Sequence, residues 1–207
     1  ALLDTQVAML ANLGSNYLVS GKVPGRAGNA HQNIVPYQVF EVKAPEDAPD
    51  GTRDHLILAV GNDGQFVKFC AVAGCPELAQ DPRYALNADR VRHRAELVPL
   101  LETILKTRTK AQWLSTLEAA KVPCGAINTL SEVFVDPQVQ ARGMVRQWQH
   151  PIKADLQLVA SPIKLSRTPV REDFPPPMLG QHTAEILSEV LGWTAEQLGP
   201  LRGKGVI

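Results

Sequence analysis

Gly28-Asn29-Ala30-His31-Gln32-Asn33-Ile34-Val35-Pro36-Tyr37-Gln38-Val39-Phe40 passes from a polar, glycine-bearing loop directly into an apolar strand. Polar side chains crowd just ahead of an element that can hold them still, which is how a scaffold presents a loop to a ligand. The strand reads as residues 36–43, with Tyr37, Val39 and Glu41 on one face and Gln38, Phe40 and Val42 on the other. Residues 44–54 hold two prolines, several acids and an Asp50-Gly51 turn signal, so they read as a solvated connection. His55 to Val60 is a second strand, and the pair forms an antiparallel hairpin.

Ahead of the loop, Leu2, Leu3, Val7, Leu10, Leu13, Tyr17 and Leu18 recur at helical spacing, giving one helix over 2–20 that stops at Gly21. A helix that begins at the first residue with no cap or leader reads as the interior of a longer protein. Beyond the hairpin, Asn62 or Asp63 caps a helix with Phe66, Val67, Phe69, Cys70 and Val72 inward, ending at Gly74. Asn87 caps a long helix to about Lys106, with Val91, Leu97, Val98, Leu101, Ile104 and Leu105 buried. Arg90, Arg92 and Arg94 fall on its wet side. Thr109 caps a helix through Ala120, and residues 122–127 are extended. Asp136-Pro137 is a local helix start. Residues 144–150 read as a further strand of the small sheet, and 156–166 as one or two strands. Four prolines in 168–178 preclude regular structure there. Gly180-Gln181-His182-Thr183 leads into a helix with Ala184, Ile186, Leu187, Val190 and Leu191 inward, and Thr194 caps a last one.

The bulk numbers bound the function. The chain has 207 residues, 44% hydrophobic and 20% charged, with 21 basic and 21 acidic residues. That length holds a real core. The zero formal net charge points to neither nucleic acid nor an anionic membrane as partner. Apolar runs such as 56–60 are too short to span a bilayer. Cys70, Cys75 and Cys124 imply no disulfide framework and suit a reducing cytoplasm. The five histidines form no His-x-x-x-His pair, so no metal is expected.

Several strings, in this order and spacing, resemble the class III CoA-transferase family (CaiB/BaiF type). They are Leu2-Leu3-Asp4-Thr5, Gly28-Asn29-Ala30-His31, Asn33-Ile34-Val35-Pro36-Tyr37 and Leu58-Ala59-Val60-Gly61-Asn62-Asp63 with Gln65-Phe66. Val122-Pro123-Cys124-Gly125, Asp136-Pro137-Gln138-Val139, Arg142-Gly143-Met144 and Gly180-Gln181-His182-Thr183 complete the set. The resemblance implies an α/β fold and a chain that is the second half of a longer protein. Residues 1–33 would be a linker helix and active-site loop from the large domain. Residues 34–150 would form an α+β small domain with a small antiparallel sheet and packed helices. Residues 151–207 would return to a Rossmann-like large domain.

The resemblance further implies transfer of CoA from an acyl-CoA thioester to a carboxylic acid through aspartyl anhydride and aspartyl-CoA intermediates, a case of covalent catalysis by a carboxylate. The catalytic aspartate of the family has no match here, since neither Asp4 nor Asp63 lies in its motif. The chain is therefore expected to be inactive alone, with acyl-CoA and carboxylate as substrates and a homodimer as the full-length state. Asn29, His31, Gln32 and Asn33 occupy the position of a glycine-rich loop near the thioester carbon, where amides and an imidazole can bond an acyl oxygen. Asn62 and Asp63 open a helix whose free N–H groups point at whatever lies in front of it. Related racemases carry a Glu-Pro-Gln-Phe pattern. Asp63-Gly64-Gln65-Phe66 departs from it and favours CoA transfer over 2-acyl-CoA racemisation. A third reading is a non-catalytic module that partners a separate large-domain half.

Overall fold

The structure is a computed structural model that describes residues 1–171 and 174–207. Its elements gather into two compact units, 1–128 and 129–207. In the first, α1 (Leu2–Ala8) and α2 (Ala11–Ser20) precede the loop. Strands β1 (Tyr37–Val42), β2 (Asp54–Ala59) and β3 (Cys124–Ile127) form one antiparallel sheet in the order β1-β2-β3. Phe40 lies opposite Leu56 and Leu58 opposite Cys124. The alternation read from the sequence holds: Phe40 and Val42 are buried while Tyr37, Val39 and Glu41 are half-buried.

Helices α3 (Asp63–Ala73), α4 (Pro76–Gln80), α5 (Asn87–Arg92), α6 (Arg94–Leu105) and α7 (Lys110–Ala119) complete the unit. Asn62 caps α3 through its side chain, which accepts the Gln65 N–H, and Gly74 ends the helix in the left-handed region at φ 76°. Thr109 and Gln112 form a reciprocal capping box at the start of α7. Phe66 and Phe69 of α3, Leu97, Leu101 and Leu105 of α6, and Trp113 and Leu117 of α7 close over the sheet, all fully buried. Each such side chain stabilises the fold by roughly 1.5–3 kcal/mol through removal from water. Trp113 donates its indole N–H to the Leu105 carbonyl at 2.7 Å and lies under the Arg108 guanidinium, 4.5 Å from ring to cation. Lys110 pairs with Asp54 at 2.9 Å where both are nearly buried, tying α7 to the start of β2. Cys70 and Cys75 are buried, and the neighbouring Cys75 together with burial pushes the Cys70 thiol up.

Two helices are shorter than their periodicity predicts. The segment 2–20 breaks at Met9–Leu10, where Ala11 takes φ 44°. No glycine or proline marks the place, so spacing alone reads through it. The segment 87–105 breaks at His93, which leaves helical geometry while its Nδ1 lies 2.9 Å from the Asp89 carbonyl oxygen. Leu86, not Asn87, is the N-cap of α5. Val67 is exposed rather than inward.

The second unit holds α8 (Leu130–Val135), α9 (Pro137–Ala141), β4 (Val145–Trp148), β5 (Leu156–Val159), α10 (Thr183–Leu191) and α11 (Ala195–Gly203). β4 was expected in the main sheet. It pairs with β5 instead, as a separate antiparallel ribbon. Thr129 and Thr194 each close a capping box, and Asp136 accepts two N–H groups at the start of α9. Ile186, Val190 and Leu191 of α10, expected inward, are more than half exposed. The proline-rich segment 168–178 includes residues 172 and 173, which lie outside the described residues. No helix of the described residues is long and apolar enough to cross a membrane.

Candidate active-site loop and its anchors

The loop between α2 and β1 is held along its length by side chains from elsewhere in its unit. Gly28 takes φ 61°, which glycine adopts at little cost. Asn29 turns toward the strand, its Oδ1 accepting the Val39 N–H at 2.9 Å. The His31 N–H donates to the Tyr37 carbonyl at 2.8 Å, and its ring lies 5.4 Å from the Tyr37 ring. His31 Nδ1 accepts the Asn33 N–H at 3.1 Å. A neutral ring that accepts at Nδ1 carries its proton on Nε2 and can donate there. Asn16 of α2 clasps the next two residues. Its amide donates to Gln32 Oε1 at 3.0 Å, and it accepts from Asn33 Nδ2 at 3.2 Å.

Three residues that patterning alone does not single out hold the loop backbone from the other side. One Arg94 nitrogen donates to the carbonyls of His31 and Gln32 at 2.7 and 2.8 Å. Asn87 donates to the Asn33 carbonyl at 2.8 Å and accepts the Val35 N–H at 3.1 Å. Arg90 donates from Nε to the Val35 carbonyl at 2.7 Å. It also donates to the Tyr84 and Ala85 carbonyls, and its cation sits 4.4 Å from the Phe66 ring. Arg90 is fully buried, and Arg94 is half-buried. The expectation that Arg90 and Arg94 face water is thus corrected; Arg92 is exposed as expected. A polar stripe opposite an apolar one looks solvated in sequence, but here the chain returns to cover it. Residues 87, 90 and 94 recur at helical spacing in the sequence, although the helix breaks at His93, and that spacing is the one signal that could have suggested a common partner.

Asp63 connects the two candidate groups. Its Oδ1 accepts from Arg90 at 2.8 Å and from the Asn87 N–H at 2.8 Å. A buried arginine left without a carboxylate would carry an uncompensated charge, so Asp63 balances it. Asp63 is thereby bonded to the same residues that grip the loop. Asn62 is not: its side chain is spent on the α3 cap. Of the expected substrate-facing residues, Asn29, His31, Gln32 and Asn33 lie together in the loop, Asp63 joins them through Arg90 and Asn87, and Asn62 stands apart.

The loop borders two clefts. One, of about 560 Å³, lies between Gln32–Asn33 and the end of α2, around Asn16, Val19 and Val23. The other, of about 450 Å³, lies between the start of α2 (Leu10, Ala11, Leu13) and residues 25–33. Farther along the chain, Gly180 takes φ 74° and His182 pairs with Glu185 at 2.9 Å beside a groove that reaches Ile186 and Ile207. Among the described residues no group of three or more His, Cys, Asp or Glu side chains could hold a metal ion.

The fold of this chain is similar to that of a solved CAIB/BAIF family protein from Brucella suis. That structure matches with a TM-score of 0.72 and 42% identity over 91% of this chain and 46% of that one. Residues 1–183 match CoA-transferase family III, and the chain belongs to that family. Its fold is mixed α/β. It is 44% identical to a succinate–glutarate CoA-transferase of Agrobacterium fabrum over 92% of this chain and 45% of that protein. It is 36% identical to human succinyl-CoA:glutarate CoA-transferase over 100% of this chain and 45% of that one. The chain spans about half the length of these relatives.

Proposed function

We propose that this chain is the small-domain and C-terminal part of an enzyme that moves CoA between short dicarboxylic acids. The observation that carries the reading is the loop 28–35, gripped through its own backbone by Asn87, Arg90 and Arg94. Its conformation is set by the fold before any substrate arrives, which is what a site that must orient an acyl group needs. The names of the relatives supply the substrate class, a short diacid and its CoA thioester.

In the reaction proposed, an aspartate from outside this chain attacks the thioester carbonyl. CoA thiolate leaves and a mixed anhydride forms. The thiolate then attacks the aspartyl carbonyl, which expels the donor carboxylate and leaves an aspartyl-CoA thioester. The acceptor carboxylate attacks that thioester, forms a second anhydride and receives the thiolate in turn. Each step passes through an oxyanion that fixed donors stabilise, and water must be kept off the anhydride. The Nε2–H of His31 and the amides of Asn29, Gln32 and Asn33 are the donors this chain would offer. Asp63 would support them from the start of α3 through Arg90 and Asn87, whereas the Asn62 side chain caps that helix. Asp63, bonded to Arg90, serves here to hold the loop, and this favours CoA transfer over racemisation by a base at that position.

The boundaries proposed for the whole protein are a linker and loop at 1–33, a small domain at 34–150 and a large-domain return at 151–207. We further propose a cytoplasmic homodimer with no metal, no nucleic-acid or membrane partner, and coenzyme A entering only as the acyl-CoA substrate. The test is an assay with succinyl-CoA and glutarate on this chain alone and on the full-length protein. Turnover by the full-length protein and none by the chain is expected. Turnover by the chain alone would refute the assignment of the nucleophile to another segment.

A further inference from the structure

The cleft of about 450 Å³ beside the loop contains one unexplained group. Arg26 lines it and, among the described residues, makes no hydrogen bond or ion pair. The cleft has no acidic lining residue. Leu10, Leu13 and Ala27 give it hydrocarbon walls, and His31 closes the side nearest the pinned loop. The other arginines beside this loop are committed: Arg90 to Asp63 and three carbonyls, Arg94 to two. Arg26 alone has its whole fork of donors available to a visitor.

We propose that Arg26 binds the free carboxylate of a dicarboxylic acyl group and so sets the enzyme's preference for diacids over monoacids. The inference rests on the CoA-transfer reading above and names the residue that gives it substrate choice. When one carboxyl of a diacid is held as a thioester, the other remains an anion. An anion entering an apolar-walled cleft without a partner is strongly disfavoured. A guanidinium matches a carboxylate with two parallel hydrogen bonds, and the pairing strengthens as water leaves. The apolar walls fit the methylene chain between the two carboxyls. A monoacid of the same length would fill the walls and leave Arg26 unpaired, so the cleft discriminates by charge as well as by length.

The experiment compares the full-length protein with its Arg26→Gln and Arg26→Lys variants, using succinyl-CoA and butyryl-CoA as donors and glutarate as the constant acceptor. In a double-displacement reaction the donor kcat/KM reports the donor half alone. For Arg26→Gln we expect succinyl-CoA kcat/KM to fall roughly 10- to 100-fold, the scale of a lost hydrogen bond to a charged group, and butyryl-CoA to change by less than about threefold. Arg26→Lys should restore part of the loss, as a point charge without the fork. Calorimetric binding of glutarate should weaken by the same factor, independent of turnover. An equal fall for both donors, or no change in either, overturns the inference while leaving CoA transfer standing. A full-length protein that moves no CoA between carboxylates overturns both.

Discussion

Leu97, Leu101 and Leu105 repeat every fourth residue along α6, and all three are fully buried. Ile186, Val190 and Leu191 draw a similar stripe along α10 and stand 51%, 72% and 55% exposed. The difference runs through both units. In 1–128 the sheet, α3, α6 and α7 enclose a continuous core. Among the described residues of 129–207 the buried apolar ones are Ala160 and Leu198. An apolar stripe is only a demand for cover. Whether the demand is met depends on surfaces that the stripe does not encode.

Arg90 gives the sharpest way to break this comparison. Arg90→Leu removes a buried cation, leaves Asp63 without its partner and strips donors from three carbonyls. We expect a loss of about 3–5 kcal/mol in urea unfolding of this chain; a loss below about 1 kcal/mol, the size of an exposed pair, would mean that the interior of 1–128 is not closed. Next comes a matched pair of truncations. Leu101→Ala should cost about 2–5 kcal/mol, and Val190→Ala, at an exposed side chain, should change stability by less than about 0.5 kcal/mol. Equal costs would erase the distinction between the units. Thr109→Ala, which removes the cap of α7, should cost about 1 kcal/mol and lower the urea midpoint without changing the slope.

The smallest effect concerns the rim of the first unit. Side-chain hydrogen bonds from Arg83, at 2.7 Å in the shortest, hold the Asp81 carboxyl below the usual carboxylate range. A carboxyl depressed on folding adds stability that is present above its unfolded pKa, about 4. That stability is lost as pH falls through the lower folded value. Arg83→Gln should therefore remove a small stability that is present above about pH 4, neutral pH included, and flatten the acid limb below that, so that variant and parent converge at the most acid pH. An acid limb unaltered in the variant would show that the pair contributes nothing.

What sequence made legible was local. Asn62, Thr109, Asp136 and Thr194 announce helix starts because a cap bonds an N–H two or three residues on. Gly74 announces a stop because few other residues accept its φ of 76°. The β1–β2 hairpin follows from alternation in two neighbouring runs. The misses around the loop share a cause: each depends on residues far apart in the chain. Arg90 meets Val35 across 55 residues and Arg94 meets His31 across 63. β4 turned to β5 rather than to the main sheet, a choice that alternation cannot rank. In the candidate site, the position of the loop was readable but the use of its side chains was not. Asn29, Gln32 and Asn33 look free in sequence, yet Val39 and Asn16 already engage them.

Trp113 gives the molecule an optical handle. Sealed in the core with its N–H bonded to the Leu105 carbonyl, its indole is shielded from solvent relaxation and should emit toward the blue. Trp148 and Trp193 belong to the other unit and are only half-buried, so their emission should lie further to the red. The fluorescence band is then a composite of two colours, one per unit. Its blue component should fade only when residues 1–128 open, so a single titration can follow the two units separately without any label.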